Sequence, residues 1–124
     1  MIEKYQKTLS KSVRFSGIGL HSGIKSNIKI LPAKEDHGIV FKRTDLKNNN
    51  SIRANFSNVT SAKLCTTLEN DYGVKVSTVE HLLAACYIVG IDNAIIEIDN
   101  EEVPIMDGSS KDFLNIIKKI DLVD

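Results

Sequence analysis

The chain has 124 residues, the length of a single domain, and it is 42% hydrophobic and 26% charged. That balance is typical of a folded globular protein and excludes a disordered or fibrous chain. Sixteen basic side chains against sixteen acidic ones give no net charge, which argues against a strongly basic nucleic-acid-binding surface.

The first two-thirds of the chain is predicted to form strands. Alternating apolar residues or clustered β-branched residues mark five segments, at 12–18, 26–30, 38–43, 52–56 and 63–68. Pro32 ends the second segment, the asparagine-rich residues 45–50 form a loop, and residues 70–73 form a turn. Three glycines within residues 17–23 indicate a turn or surface loop there.

The periodicity then changes to that of helices. A helix is predicted over 78–89, with one apolar face formed by positions 79, 82, 83, 86 and 89. Ser77 and Glu80 match a capping box at its start, and Gly90 is placed to end it. A strand over 94–99, an edge strand over 103–105, a turn at 107–110 and a second helix follow, the helix with apolar positions 113, 116, 117 and 120. This order predicts an α+β fold with helices packed on one face of a mainly antiparallel sheet.

The sequence shows no targeting, membrane-spanning or disulfide pattern. Residues 1–5 contain no apolar stretch, so we expect no signal peptide. The longest apolar run, residues 82–89, is far shorter than a membrane span of about 20 residues. Cys65 and Cys86 do not form a CxxC pair, and a reducing cytoplasm is the simplest compartment. Cys86 is predicted to lie in the core, and Cys65 to be a small buried residue at a strand end.

Three histidines, His21, His37 and His81, are the candidates for chemistry. His81 stands out because it follows Glu80 at a helix start, where imidazole can bind a metal and the carboxylate can take a proton from a metal-bound water. The alternative is that Glu80 only caps the helix and His81 is a partly buried polar residue, and local spacing alone favours this alternative. His21, in the glycine-rich segment, is a candidate ligand contact, although no phosphate-binding fingerprint is present. His37 is predicted to lie in a solvated turn.

Six segments of the chain together carry a family resemblance. They are Gly-Ile-Gly-Leu-His-Ser-Gly at 17–23, Arg-Thr-Asp-Leu at 43–46, Leu-Cys-Thr at 64–66, Ser-Thr-Val-Glu-His-Leu at 77–82, Gly-Ile-Asp-Asn at 90–93 and Pro-Ile-Met-Asp-Gly-Ser at 104–109. In this order they resemble the first half of the UDP-3-O-acyl-N-acetylglucosamine deacetylases, zinc hydrolases of the lipid A pathway in Gram-negative bacteria. The resemblance extends over essentially the whole chain.

The resemblance implies that this chain is the first of two similar α+β domains, each a sheet layered against helices, with the active site in the cleft between the two helical layers. It implies that His81 is one ligand of a Zn²⁺ ion, and that a His and an Asp of an H-x-x-x-D motif in the second domain complete the ligand set. Glu80 would be the base for a metal-bound water that attacks the N-acetyl group. Leu64, Cys65 and Thr66 would line the cleft, with Cys65 able to bind an additional inhibitory metal, and His21 would contact the substrate.

The implied partners are a nucleotide-sugar lipid substrate and the second domain of the same enzyme, with no nucleic acid. No H-x-x-x-D motif follows in this chain, so it is expected to be inactive alone, as a fragment of the deacetylase. The alternative is a truncated, non-catalytic α+β domain that serves in binding or assembly. Whether the gene continues past Asp124 into an H-x-x-x-D motif would distinguish the two.

Overall fold

The computed structural model describes residues 6–55, 58–60, 66–105 and 122–123. In chain order the elements within these residues are β1 (Thr8–Leu9), β2 (Val13–Gly19), β3 (Lys25–Pro32), β4 (Ile39–Arg43), β5 (Ser51–Arg53), β6 (Val59–Thr60), β7 (Thr67–Glu69), β8 (Lys75–Ser77), α1 (Glu80–Val89), β9 (Ala94–Ile98), β10 (Pro104–Ile105) and β11 (Leu122–Val123). No helix in this part of the chain is long and apolar enough to cross a membrane.

The largest sheet has six strands in the order β10-β2-β3-β9-β4-β5. All neighbours in it are antiparallel except β4 and β9, which are parallel. Two smaller antiparallel sheets pair β6-β7-β8 and β1-β11. This arrangement confirms the predicted α+β fold with a mainly antiparallel sheet.

One face of the large sheet forms the core together with α1. Along β3, Ser26, Ile28 and Ile30 are buried while the intervening Asn27 is exposed, as the alternation of side chains along a strand requires. The helix contributes its buried residues to the same apolar cluster, namely Leu82, Ala85 and Cys86. The prediction that Cys86 lies in the core is confirmed, and burial raises the pKa of its thiol to about 12.

Most predicted strands are present with small shifts of their ends. Residues 17–23 are only partly a loop, because β2 continues through Gly19 and the turn begins at Leu20. The strand predicted over 52–56 is shorter in the structure, since β5 ends at Arg53. Residues 63–65, the turn at 107–110, the second helix and Phe56 lie outside the described residues.

The start of α1 differs from the prediction. The helix begins at Glu80, its N-cap is Val79, and no side chain caps it. The predicted capping box is therefore wrong, because Ser77 is the last residue of β8 and its backbone is engaged there. Its N–H donates to the carbonyl oxygen of Glu101 at 2.8 Å. The predicted end is confirmed, since Gly90 takes the left-handed conformation with a φ of 94°.

Candidate active site

Glu80 and His81 are the first two residues of α1, at the point where the chain leaves β8. Between strand and helix, Thr78 has a φ of 59°, and this left-handed residue turns the chain. The carbonyl oxygen of Ser77 accepts a hydrogen bond from the N–H of Val103 at 3.0 Å. The helix start is thus held by contacts with a segment distant in sequence instead of by a local cap.

The Glu80 carboxylate is satisfied on one oxygen only. Oε2 accepts a hydrogen bond from the N–H of Thr66 at 2.8 Å, and the N–H of Val79 donates to the carbonyl oxygen of Thr66 at 3.3 Å. Oε1 is buried and has no hydrogen-bond partner among the described residues. Buried polar atoms of proteins are nearly always hydrogen-bonded. An unsatisfied carboxylate oxygen here therefore indicates a place for a proton donor, a water or a cation.

His81 is half-buried and directly follows Glu80. Among the described residues, no group of three His, Cys, Asp or Glu side chains is arranged to hold a metal ion. A catalytic zinc site has about three protein ligands. A zinc ion at His81 would therefore need ligands from outside the described part of the chain.

The structure brings one of the predicted cleft residues to Glu80. Thr66 contacts it directly, as described above, whereas Leu64 and Cys65 lie outside the described residues. His21 is exposed in the turn after β2. His37 is half-buried rather than fully solvated, because it lies just before β4 with its Nδ1 at 3.2 Å from the carbonyl oxygen of Gly38.

Glu102 is a buried carboxylate near this helix start, and the sequence patterns do not single it out. It is 3% exposed and accepts hydrogen bonds from the N–H groups of His21 at 3.0 Å and Ser22 at 2.8 Å, and from the Thr78 hydroxyl at 2.8 Å. Burial acts to raise the pKa of Glu102. The hydrogen bonds from Ser22, His21 and Thr78 outweigh burial, so the pKa lies below its usual value. In the sequence, Glu102 looks like its exposed neighbour Glu101.

Comparison with known proteins gives one consistent family. Residues 6–124 match the family model described as UDP-3-O-acyl N-acetylglycosamine deacetylase. The chain is 49% identical over 114 residues to the UDP-3-O-acyl-N-acetylglucosamine deacetylase of Shewanella frigidimarina (strain NCIMB 400). It is 47% identical over 114 residues to the protein of that name from Shewanella denitrificans. Each match covers 92% of this chain and 37% of the relative, so the chain spans well under half the length of these proteins.

Proposed function

Because the chain belongs to the UDP-3-O-acyl-N-acetylglucosamine deacetylase family, we propose that residues 1–124 are the N-terminal domain of a longer deacetylase. This enzyme would remove the N-acetyl group of UDP-3-O-acyl-N-acetylglucosamine in the lipid A pathway of a Gram-negative bacterium. It would work in the cytoplasm, because a reducing compartment suits a chain whose two cysteines form no CxxC pair. The observation that carries the proposal is the buried Oε1 of Glu80, which has no hydrogen-bond partner among the described residues and belongs to the residue that precedes His81.

We propose Zn²⁺ as the cofactor, with His81 as the one ligand that this domain supplies. A half-buried imidazole that directly follows, in sequence, a residue with an unsatisfied carboxylate oxygen offers donors that suit a cation and its bound water. When bound, Zn²⁺ would polarise the amide carbonyl and lower the pKa of a water molecule. The remaining two ligands would come from the second domain, which we place after Asp124.

The proposed role of Glu80 is that of general base and then general acid. The N–H of Thr66 holds Oε2 at 2.8 Å, which fixes the carboxylate and leaves Oε1 free to accept a proton. Oε1 would take the proton from the attacking water as the new C–O bond forms. The amide C–N bond then breaks, acetate leaves, and Glu80 returns the proton to the departing amine.

The experiment is a deacetylase assay on the full-length enzyme, in which this chain continues into the second domain. The full-length enzyme should release acetate from UDP-3-O-acyl-N-acetylglucosamine, whereas the 124-residue chain alone should not. Glu80→Gln should lower kcat by about 10²–10⁴-fold with little change in KM, because a general base acts in the transition state.

Glu35→Gln is the matched control, since Glu35 is exposed in the connection between β3 and β4. It should keep wild-type kinetics. If kcat falls by less than about tenfold in Glu80→Gln, Glu80 is not the general base. A gene that ends at Asp124, or that continues without an H-x-x-x-D motif, would favour a non-catalytic binding or assembly domain instead.

A further inference from the structure

The Glu102 carboxylate joins two turns that are far apart in sequence. It accepts hydrogen bonds from the N–H groups of His21 and Ser22 in the turn after β2. It also accepts one from the Thr78 hydroxyl in the turn before α1. The backbone of Glu102 is fixed as well, because its carbonyl oxygen accepts a hydrogen bond from the buried Ser26 hydroxyl at 2.8 Å. A single side chain therefore sets the position of one turn relative to the other.

Gly19 provides the space that this carboxylate occupies. A Cβ atom at Gly19 would overlap Oε1 of Glu102 and lie 2.5 Å from Oγ of Ser22. The φ of Gly19 is not in the left-handed region, so the need for glycine here is one of space. The glycine-rich segment is thus shaped to admit the Glu102 side chain.

Thr78 is the link from Glu102 to the candidate active site. A φ of 59° is rare for a β-branched residue and persists only where surrounding contacts hold it. The hydroxyl of Thr78 donates to Oε2 of Glu102 at 2.8 Å, and this contact holds the residue in that conformation. Since Thr78 is two residues before Glu80, its conformation sets the direction in which α1 begins.

We propose that Glu102 is a positioning residue for the deacetylation site. Its carboxylate holds the Thr78 turn, and through it the Glu80–His81 helix start, against the turn that carries His21. Both of its oxygens are occupied by donors of the protein and the side chain is buried, so Glu102 does not itself act on substrate. The kinetic part of this inference rests on the proposed function, whereas the hydrogen-bond part does not.

The test compares variants of the full-length enzyme at Glu102 and Thr78. Glu102→Gln nearly keeps the shape but turns an NH₂ group toward N–H donors. It should lower kcat by about 10–100-fold, because a small misplacement of catalytic groups is costly, and it should leave KM within about twofold. Thr78→Val should lower kcat in the same way. Thr78→Ser keeps the hydroxyl and should therefore have a kcat close to that of the wild type. The exposed neighbour variant Glu101→Gln should match the wild type.

Amide hydrogen exchange of the same proteins provides the readout that is independent of activity. The His21 and Ser22 amides should exchange about tenfold faster or more in Glu102→Gln, since each loses a hydrogen bond to a charged group. Unchanged exchange of these two amides, or a wild-type kcat in Glu102→Gln, would overturn the inference. A Thr78→Ser variant as slow as Thr78→Val would overturn the route through Thr78.

Two further outcomes are also decisive. If Glu102→Gln does not fold, the kcat values of Thr78→Val and Thr78→Ser decide the inference, because these two variants differ in the hydroxyl. If the wild-type enzyme has no deacetylase activity, the proposed function fails. The exchange rates of the His21 and Ser22 amides then still decide whether Glu102 holds the two turns together.

Discussion

At the residue scale, two carboxylates near the start of α1 differ in burial and in hydrogen bonding: Glu102 is buried, whereas Glu80 is half-buried with a buried Oε1. Glu102 accepts hydrogen bonds from two backbone N–H groups and one hydroxyl, so both of its oxygens are hydrogen-bonded. Glu80 accepts one hydrogen bond at Oε2 and has an unsatisfied Oε1. A carboxylate with both oxygens hydrogen-bonded to the protein stabilises the structure, whereas one with an oxygen that lacks a partner can accept a proton there. The two residues therefore suit different roles.

The lowered pKa of Glu102 predicts a specific dependence of stability on pH. Burial raises the pKa, but the hydrogen bonds from Ser22, His21 and Thr78 bring it below 4.5, its ordinary value. Since the folded pKa is lower than the unfolded one, the ionised carboxylate stabilises the fold above pH 4.5. This stabilisation is lost as the pH falls from there through the folded pKa. Urea unfolding over a pH series should therefore show that the free energy of unfolding falls more steeply with decreasing pH in the wild type than in Glu102→Gln.

If the free energy of unfolding falls equally steeply with decreasing pH in the two proteins, the fold does not hold Glu102 in its charged form. Asp45 contributes to the slope in both proteins, because its hydrogen bond with Arg43 keeps its pKa low. The comparison isolates Glu102 for that reason. Glu101→Gln is the control, and its slope should equal that of the wild type.

The difference between these residues also explains what the sequence could reveal of the site. Glu80 and His81 are adjacent and lie at the start of an apolar periodicity, so a local pattern marks them as candidates, and the family resemblance then favours the catalytic role over the capping one. The three residues that donate hydrogen bonds to the Glu102 carboxylate precede it by 81, 80 and 24 positions. No local pattern contains such contacts, and Glu102 could not be distinguished from Glu101 without the fold.

At the scale of elements, the apolar periodicity predicts the body and the end of α1 but not its beginning. Leu82, Ala85 and Cys86 are buried as the spacing requires. The capping box fails because Ser77 belongs to β8, a strand of three residues that is too short to show an alternation. Pairing within the sheet thus takes precedence over a local capping preference. The helix begins two residues later than predicted for this reason.

The C-terminal end of α1 gives a testable prediction for Gly90. Its φ is 94°, and a Cβ atom there would have nothing within 4 Å, so a substitution changes only the backbone energy. Gly90→Ala should lower the free energy of unfolding by about 1–2 kcal/mol, because L-residues with a Cβ disfavour this region. Gly90→Asn should cost less, since asparagine tolerates the left-handed conformation. Urea denaturation of both variants measures this, and equal stability of Gly90→Ala and wild type would contradict it.

At the scale of the whole molecule, the apolar core is independent of the candidate metal site. The buried cluster combines residues of the large sheet, the β7-β8 hairpin and α1, and it includes neither Glu80 nor His81. Folding of the chain should therefore need no metal, in contrast to a zinc finger. Thermal unfolding of the 124-residue chain with and without a chelator should give the same Tm. A Tm lowered by several degrees in the chelator would show that metal contributes to the fold.

The fold class follows from the sequence because a run of alternating strands precedes the amphipathic periodicity of α1, and the described residues keep that order. The pairing order could not be predicted in the same way. Strands β4 and β9 are parallel neighbours although about fifty residues separate them in the chain, and only the folded sheet shows this. A separate parallel bridge between Ser77 and Glu102 places the segment around Glu102 beside the end of β8. The environment of the candidate site is thus a property of the topology.

The most direct test of the central claim is the zinc content of the full-length enzyme after dialysis. If His81 is a zinc ligand, His81→Ala should lose most of its zinc, because two remaining ligands do not complete a three-ligand site. His21→Ala and His37→Ala should retain the zinc content of the wild type, since neither belongs to the proposed ligand set. Near-stoichiometric zinc in His81→Ala, or loss of zinc in His21→Ala, would contradict the assignment of the metal to His81.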